Sequence, residues 1–146
     1  MTVPPARTHL RVRGENHLLE VRAGMVYVRV GDARNLTLEQ GARDAELLSQ
    51  HLMEALELTS HLSRGAILDV SKAPSIAGPR TRKALSRALL AWQRAGRPLA
   101  FVVGNDPIKH MQYVSLVRQY APGHGKVVAD QGAARDWCRE FAQAQR

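Results

Sequence analysis

The chain has 146 residues and a formal net charge of +8, with 45% hydrophobic and 23% charged residues. This length and composition predict one globular domain and exclude a chain that is disordered throughout. A single cysteine, Cys138, excludes an intramolecular disulfide framework, and no apolar run reaches the roughly 20 residues that a membrane-spanning helix needs. The first 16 residues also lack the apolar segment of a signal peptide, so we expect a cytoplasmic protein without membrane insertion.

The N-terminal part of the chain predicts a leader followed by a β-hairpin. Residues 1–16 contain a Pro-Pro pair and no hydrophobic periodicity, which indicates a flexible basic leader, although residues 9–13 can add an edge strand. Residues 18–21 and 25–30 are short apolar and β-branched runs separated by an Ala-Gly pair, which favours two antiparallel strands. The predicted α/β domain therefore spans residues 17–146.

From residue 37 onward, predicted helices alternate with predicted strands. Residues typical of helix starts, which cap the first turn or occupy its first position, are Thr37, Pro79, Asp106 and Asp130. Buried strands are predicted between these helices at residues 65–70, 99–103 and 126–129. The order ββαβαβαβα predicts an α/β fold with one mixed, mostly parallel sheet and covering helices, because parallel strands need long crossover connections.

The sequence lacks the common catalytic and metal-binding motifs. Residues 123–126 (GHGK) precede a strand and lack the first glycine and the Ser or Thr of a phosphate-binding loop. The six histidines show no paired helical spacing, so we interpret each as a surface or boundary residue, and Cys138 as a small buried hydrophobe. Asp69, at the end of a strand, is expected to organise the following turn. We therefore expect neither catalysis nor a metal or other cofactor.

The positive charge is concentrated in one segment. No acidic residue lies between Val70 and Asn105, whereas residues 39–57 carry five acidic residues against the single cation Arg43. The cations of the basic segment are Lys72, Arg80, Arg82, Lys83, Arg87, Arg94 and Arg97. On a helical wheel, Arg80, Lys83, Arg87 and Arg94 fall within about 60° of one another and form one basic stripe. This stripe is either an anion-binding surface or a solvated face that pairs with the acidic helix.

Nucleic acid is the first anionic partner to consider for such a basic protein. The basic stripe has no interleaved aromatic residues for base stacking, and no helix-turn-helix or RNA-binding motif is present. We therefore expect a protein partner rather than nucleic acid.

Two segments resemble a known family. Residues 67–76 (ILDVSKAPSI) resemble the central segment of STAS domains, the sulfate-transporter and anti-sigma-factor-antagonist superfamily, in particular its stand-alone SpoIIAA-like branch. Residues 24–32 (GMVYVRVGD) resemble the first core strand and turn of that family, and the resemblance extends over residues 17–141. It implies a small α/β regulatory domain that binds partner proteins and, in some members, nucleotides or lipids, without catalysis.

The phosphorylation switch of the family is not carried over to this chain. In anti-sigma-factor antagonists, an Asp-Ser-Ser-Gly loop at a helix start carries the phosphorylated serine. The aligned residues 77–80 are Ala-Gly-Pro-Arg, and only Ser75 and Thr81 flank them. The basic residues at this position predict instead a surface that receives an acidic or phosphorylated partner.

The leading hypothesis is a non-enzymatic, STAS-like interaction module that uses the basic loop and helix of residues 72–87. The predicted contact residues are Lys72, Ser75, Gly78, Arg80, Thr81, Lys83, Arg87 and Arg94. The alternative is a small-molecule-binding module, with a lipid or an anionic metabolite in a crevice between the sheet and a helix. A homodimer is a further hypothesis, motivated by Leu47 and Leu58 on the polar side of their helix and by the segregated charges.

Overall fold

The computed structural model describes residues 10–33, 35–59, 64–74, 76 and 78–144, which form six strands and four helices. The strands are β1 (Leu10–Arg13), β2 (His17–Arg22), β3 (Met25–Val30), β4 (Ala66–Asp69), β5 (Leu99–Val102) and β6 (Gly125–Val128). The helices are α1 (Leu38–Leu58), α2 (Pro79–Arg94), α3 (Pro107–Tyr120) and α4 (Gln131–Ala144). None of these helices is both long enough and apolar enough to cross a lipid bilayer.

The strands form one mixed sheet in the order β1-β2-β3-β4-β5-β6. Strands β1, β2 and β3 pair antiparallel, and β3, β4, β5 and β6 pair parallel. The predicted mixed α/β architecture is confirmed, but the expected mostly parallel character is not, because the three N-terminal strands are antiparallel. The physical reason is the additional strand β1, which extends the hairpin β2–β3 by a second antiparallel pairing.

Strand β1 lies within residues 1–16, which the sequence predicts to be a flexible leader. Leu10 pairs with Val21 and Arg13 pairs with Leu18, so residues 10–13 are the edge strand that the sequence allowed rather than part of a flexible segment. Residues 1–9 lie outside the described residues. The described fold therefore begins at Leu10 instead of residue 17.

The helix starts follow from local hydrogen bonding, as the sequence predicts. Thr37 and Gln40 form a reciprocal capping box at α1, and Asp106 accepts hydrogen bonds from the first turn of α3. Asp130 Oδ1 accepts a hydrogen bond from the Ala133 amide at the start of α4. Helix α2 differs, because it begins at Pro79 after a glycine without a side-chain cap.

Alternating residues of the strands bury the two faces of the sheet in separate cores. Leu68 of β4 and Phe101 of β5 belong to the larger core, which also contains residues of α1, α2 and α3. Ile67 and Ala100, the neighbours of these two residues, pack with residues of α4 in a smaller core. Helices α1, α2 and α3 therefore cover one face, and α4 covers part of the other.

Candidate functional site

A cavity of about 240 Å³ lies in the larger core, where β3 and β4 end. Its apolar wall includes Val30, Leu48, Leu68, Val70, Ile76 and Leu85. The carboxyl ends of parallel strands are the usual position of ligand sites in open α/β sheets, because the connections to the helices leave a crevice there. The cavity therefore lies where the topology of this sheet favours a binding site.

One face of α1 forms the wall of the cavity next to β3. Gly41, Asp44, Ala45 and Leu48 line the cavity at helical i, i+3, i+4 and i+7 spacing. A Cβ atom added at Gly41 has no heavy-atom neighbour within 4 Å. The glycine thus leaves open space at a position where every other residue type would place a side chain.

The loop between β4 and α2 forms another part of the wall, and two residues of α3 hold it. The buried Lys109 ammonium donates to the carbonyl oxygens of Val70, at 3.1 Å, and of Ser71, at 3.0 Å, and it also donates to that of Ala73. The amide of Ile76 donates to Gln112 Oε1 at 2.9 Å. These hydrogen bonds fix the loop at the end of β4, and with it the shape of the cavity.

The polar part of the wall is a buried network centred on Asp44. Asp44 Oδ1 lies 3.0 Å from the Asn16 amide and 2.9 Å from His17 Nδ1, so both nitrogens donate to it. His17 Nε2 lies 2.8 Å from His51 Nδ1, and one of the two rings therefore donates to the other. The interpretation of every histidine as a surface or boundary residue is wrong for His17, whose side chain is 0% exposed, because Asp44 satisfies its ring nitrogen.

The histidine pair predicts a pH dependence of stability. Burial lowers the pKa of His51 below its ordinary 6.5, and the charge of His17 lowers it further, whereas Glu54 and Asp44 raise it. As pH falls through about 6.5, the unfolded chain takes up protons before the folded chain does, so the free energy of unfolding decreases on acidification. We expect urea midpoints between pH 8 and pH 5 to depend less on pH in His51→Gln than in the native protein. An unchanged pH dependence would contradict this prediction.

The predicted contact residues do not form one common site. Arg80 is paired with the acidic helix: its guanidinium lies 2.6 Å from Glu39 Oε2 and 2.5 Å from Glu46 Oε1. Side-chain hydrogen bonds from Arg80 accordingly lower the pKa of Glu46, and the charges of Arg80 and Arg87 add to the effect. The alternative interpretation, pairing of the stripe with α1, is thus correct for Arg80.

The other predicted contact residues have different surroundings. Thr81 is partly buried and lines the cavity, whereas Gly78 is exposed at the start of α2 with a φ of 86°. Among the predicted contact residues, the exposed cations that form no ion pair with a described residue are Lys72, Lys83, Arg87 and Arg94. Ser75 lies outside the described residues. The structure therefore separates a cavity-lining threonine from an exposed basic surface.

Two more residues of the sequence analysis have structural roles. Asp69 Oδ1 accepts hydrogen bonds from the Ser71 amide and hydroxyl, so its predicted role in the turn is confirmed. Burial alone would raise the pKa of Asp69, but the hydrogen bonds from Ser71 and Gln131 and the charge of Lys72 together lower it. Burial raises the pKa of the Cys138 thiol to about 12, which leaves it protonated and unreactive at neutral pH.

Arg97, the last cation of the basic segment, is not part of the surface. Its guanidinium donates to the carbonyl oxygens of Arg64 and Leu56 and to the Thr59 hydroxyl, and it stacks over the Trp92 ring. Burial lowers the pKa of Arg97. Part of the charge that the sequence assigns to a surface is therefore buried in the interior.

A second depression lies on the opposite face of the sheet, beside the start of α4. It has a volume of about 350 Å³, and its wall includes Arg22, Arg29, Asp69, Gln131 and Arg135. Apart from Arg135, these polar side chains already have partners: Arg29 binds Asp32, Arg22 stacks over Tyr27, and Gln131 donates to Asp69. The cavity under α1 is the better candidate site, because its wall is mainly apolar and includes the buried carboxylate of Asp44.

Sequence reasoning missed Asp44, which lines the cavity, and Lys109, which holds the loop at the end of β4. The available signal for Asp44 was its position, four residues before Leu48 and next to Ala45 on the apolar face of α1. Among the described residues, no group of three or more His, Cys, Asp or Glu side chains is arranged to hold a metal ion. Comparisons with protein-family models and with curated proteins find no match for this chain.

Proposed function

We propose that this protein is a non-enzymatic binding module whose cavity holds a small, predominantly apolar molecule. The observation that supports this function is the cavity of about 240 Å³ at the ends of β3 and β4, which has an apolar wall. An apolar cavity of roughly 150 Å³ is large enough for benzene, so the available volume suits a ligand somewhat larger than one aromatic ring. Ligand sites of this kind have apolar walls with a few placed polar groups.

The charge of the wall favours a lipid-like ligand over an anionic metabolite. Asp44 is the one charged side chain among the described residues that line the cavity. A buried anion would meet no cation there and would face this carboxylate instead. An apolar molecule gains about 0.8 kcal/mol for each buried methylene group and needs no countercharge.

Native mass spectrometry of freshly purified protein tests this proposal, together with titration of the emptied protein with octan-1-ol. We expect an adduct that is released on denaturation, or saturable binding of octan-1-ol at one site. Absence of both would overturn the proposed function.

The exposed basic surface supports a second candidate function, the binding of an acidic or phosphorylated protein by a STAS-like module. The supporting observation is that Lys83 and Arg87 are exposed on α2 and pair with no described acidic residue, although Arg87 lies near Glu46. We therefore expect the double variant Lys83→Glu, Arg87→Glu to lose proteins that co-purify from the native host. Arg80 is left unchanged, because its reversal would also break the contact with α1.

Arg139→Glu on α4 is the matched control for this charge reversal. Arg139 is also exposed, but it lies on the helix that covers the opposite face of the sheet. The control variant should retain the captured proteins. Equal retention by the double variant would contradict the second candidate function.

The homodimer also stays a proposal, supported by the partial exposure of Leu47 and Leu58.

A further inference from the structure

One oxygen of the Asp44 carboxylate accepts hydrogen bonds from described residues, and the other accepts none. Oδ1 receives the hydrogen bonds from the Asn16 amide and from His17 Nδ1. Oδ2 accepts no hydrogen bond from a described residue, although the side chain is only 3% exposed and lines the cavity. A carboxylate that lines the cavity therefore keeps one oxygen without a hydrogen-bond donor from the described residues.

Such a carboxylate oxygen is incompletely satisfied while the cavity is occupied by an apolar molecule alone. Leaving a buried acceptor without a donor costs roughly 1–3 kcal/mol, and more when the acceptor is charged. A ligand that brings an O–H or N–H group to Oδ2 avoids this cost. A ligand that brings a carboxylate adds repulsion between like charges in a site that excludes most water.

The network behind Asp44 keeps the carboxylate in this position. Asn16 directly precedes β2, and His17 is its first residue. Both donate a hydrogen bond to Asp44 Oδ1 from the side of the sheet. Asn16 Oδ1 in turn accepts the amide of Ala33, which follows β3. Residues 16–17, and residue 33 through Asn16, therefore hold the carboxylate of Asp44, which cannot reorient without breaking these contacts.

We propose that Asp44 is the specificity-determining residue of the cavity and selects an apolar ligand whose polar end is a hydrogen-bond donor, such as an alcohol or an amine. This inference rests on the proposed function and adds the chemical class of the ligand. Tyr113, from α3, also lines the cavity, and its hydroxyl bonds to no described residue. Burial raises the pKa of this hydroxyl, so it stays protonated and contributes no charge to the selection.

The test compares octan-1-ol with octanoate at pH 7.5 by isothermal titration calorimetry. These probes have the same chain length, and they differ in a hydroxyl donor against a carboxylate. We expect the native protein to bind octan-1-ol at least about tenfold more tightly, because juxtaposed like charges cost several kcal/mol. In Asp44→Asn the preference should fall below about threefold, since the amide also donates hydrogen bonds.

Asp136→Asn is the matched control, because it makes the same change of a carboxylate to an amide at an exposed position of α4, outside the cavity. This variant should keep the preference for the alcohol. Octanoate binding as tight as octan-1-ol binding in the native protein would overturn the assignment of Asp44, whatever the folding of the variants. Failure of both probes to bind the native protein would overturn the proposed function as well, so the two failures are distinguishable.

Discussion

Replacement of Lys109 by methionine is expected to lower the free energy of unfolding by about 2–4 kcal/mol, because the variant loses several charge-assisted hydrogen bonds. The Lys109 ammonium donates to three backbone carbonyl oxygens that follow β4, and the residue is 4% exposed. Methionine fills a similar volume but donates no hydrogen bond, so these carbonyl groups lose their buried donor. Urea-induced unfolding followed by circular dichroism measures the change.

Lys126→Met is the matched control for this substitution. Lys126 belongs to β6 and is exposed, and it forms no ion pair with a described residue. Its substitution should change the free energy of unfolding by at most about 0.5 kcal/mol, as is usual for surface positions. Equal stability of the two variants would show that Lys109 does not hold the loop at the end of β4.

Replacement of Gly41 by tryptophan is expected to remove ligand binding. Gly41 lines the cavity, and a Cβ atom at this position has open space around it. The indole ring can therefore occupy volume that the ligand needs, without displacing the backbone of a neighbouring segment. We expect the affinity for octan-1-ol to fall at least about tenfold, which corresponds to the loss of two buried methylene groups. Isothermal titration calorimetry measures this affinity.

Gly41→Ala separates the blocking effect from the effect on the helix. Alanine in place of a glycine inside α1 should stabilise the protein by about 0.5–1 kcal/mol, because it reduces the conformational freedom of the unfolded chain. It adds only a methyl group to the cavity wall, so binding of octan-1-ol should persist. Undiminished binding in Gly41→Trp would show that the ligand occupies another part of the molecule.

The fold was largely predictable because its signals are local. The capping box of Thr37 and Gln40, the Asp106 cap and the hairpin turn act between residues close in sequence, and each lies where the sequence predicts it. Strand β1 was only an alternative, because a short edge strand of alternating basic and apolar residues resembles a leader until its partner is known.

The site was less predictable because its contacts join distant segments. Asp44 and His17 are 27 positions apart, and Lys109 reaches a carbonyl oxygen 39 positions away. No periodicity within one helix can report such pairs. The basic stripe was visible in the sequence, but its relation to α1 was not: only the packing of α2 against α1 brings Arg80 to Glu39 and Glu46.

The dependence of affinity on alkyl chain length tests most directly whether the cavity binds an apolar ligand. Native protein is titrated with the straight-chain alcohols from butan-1-ol to octan-1-ol by isothermal titration calorimetry. We predict one saturable site with an affinity that rises about fourfold for each added methylene group. The reason is that burial of one methylene group contributes about 0.8 kcal/mol to the free energy of binding. An affinity that does not change with chain length would contradict an apolar binding cavity between β3, β4 and the covering helices.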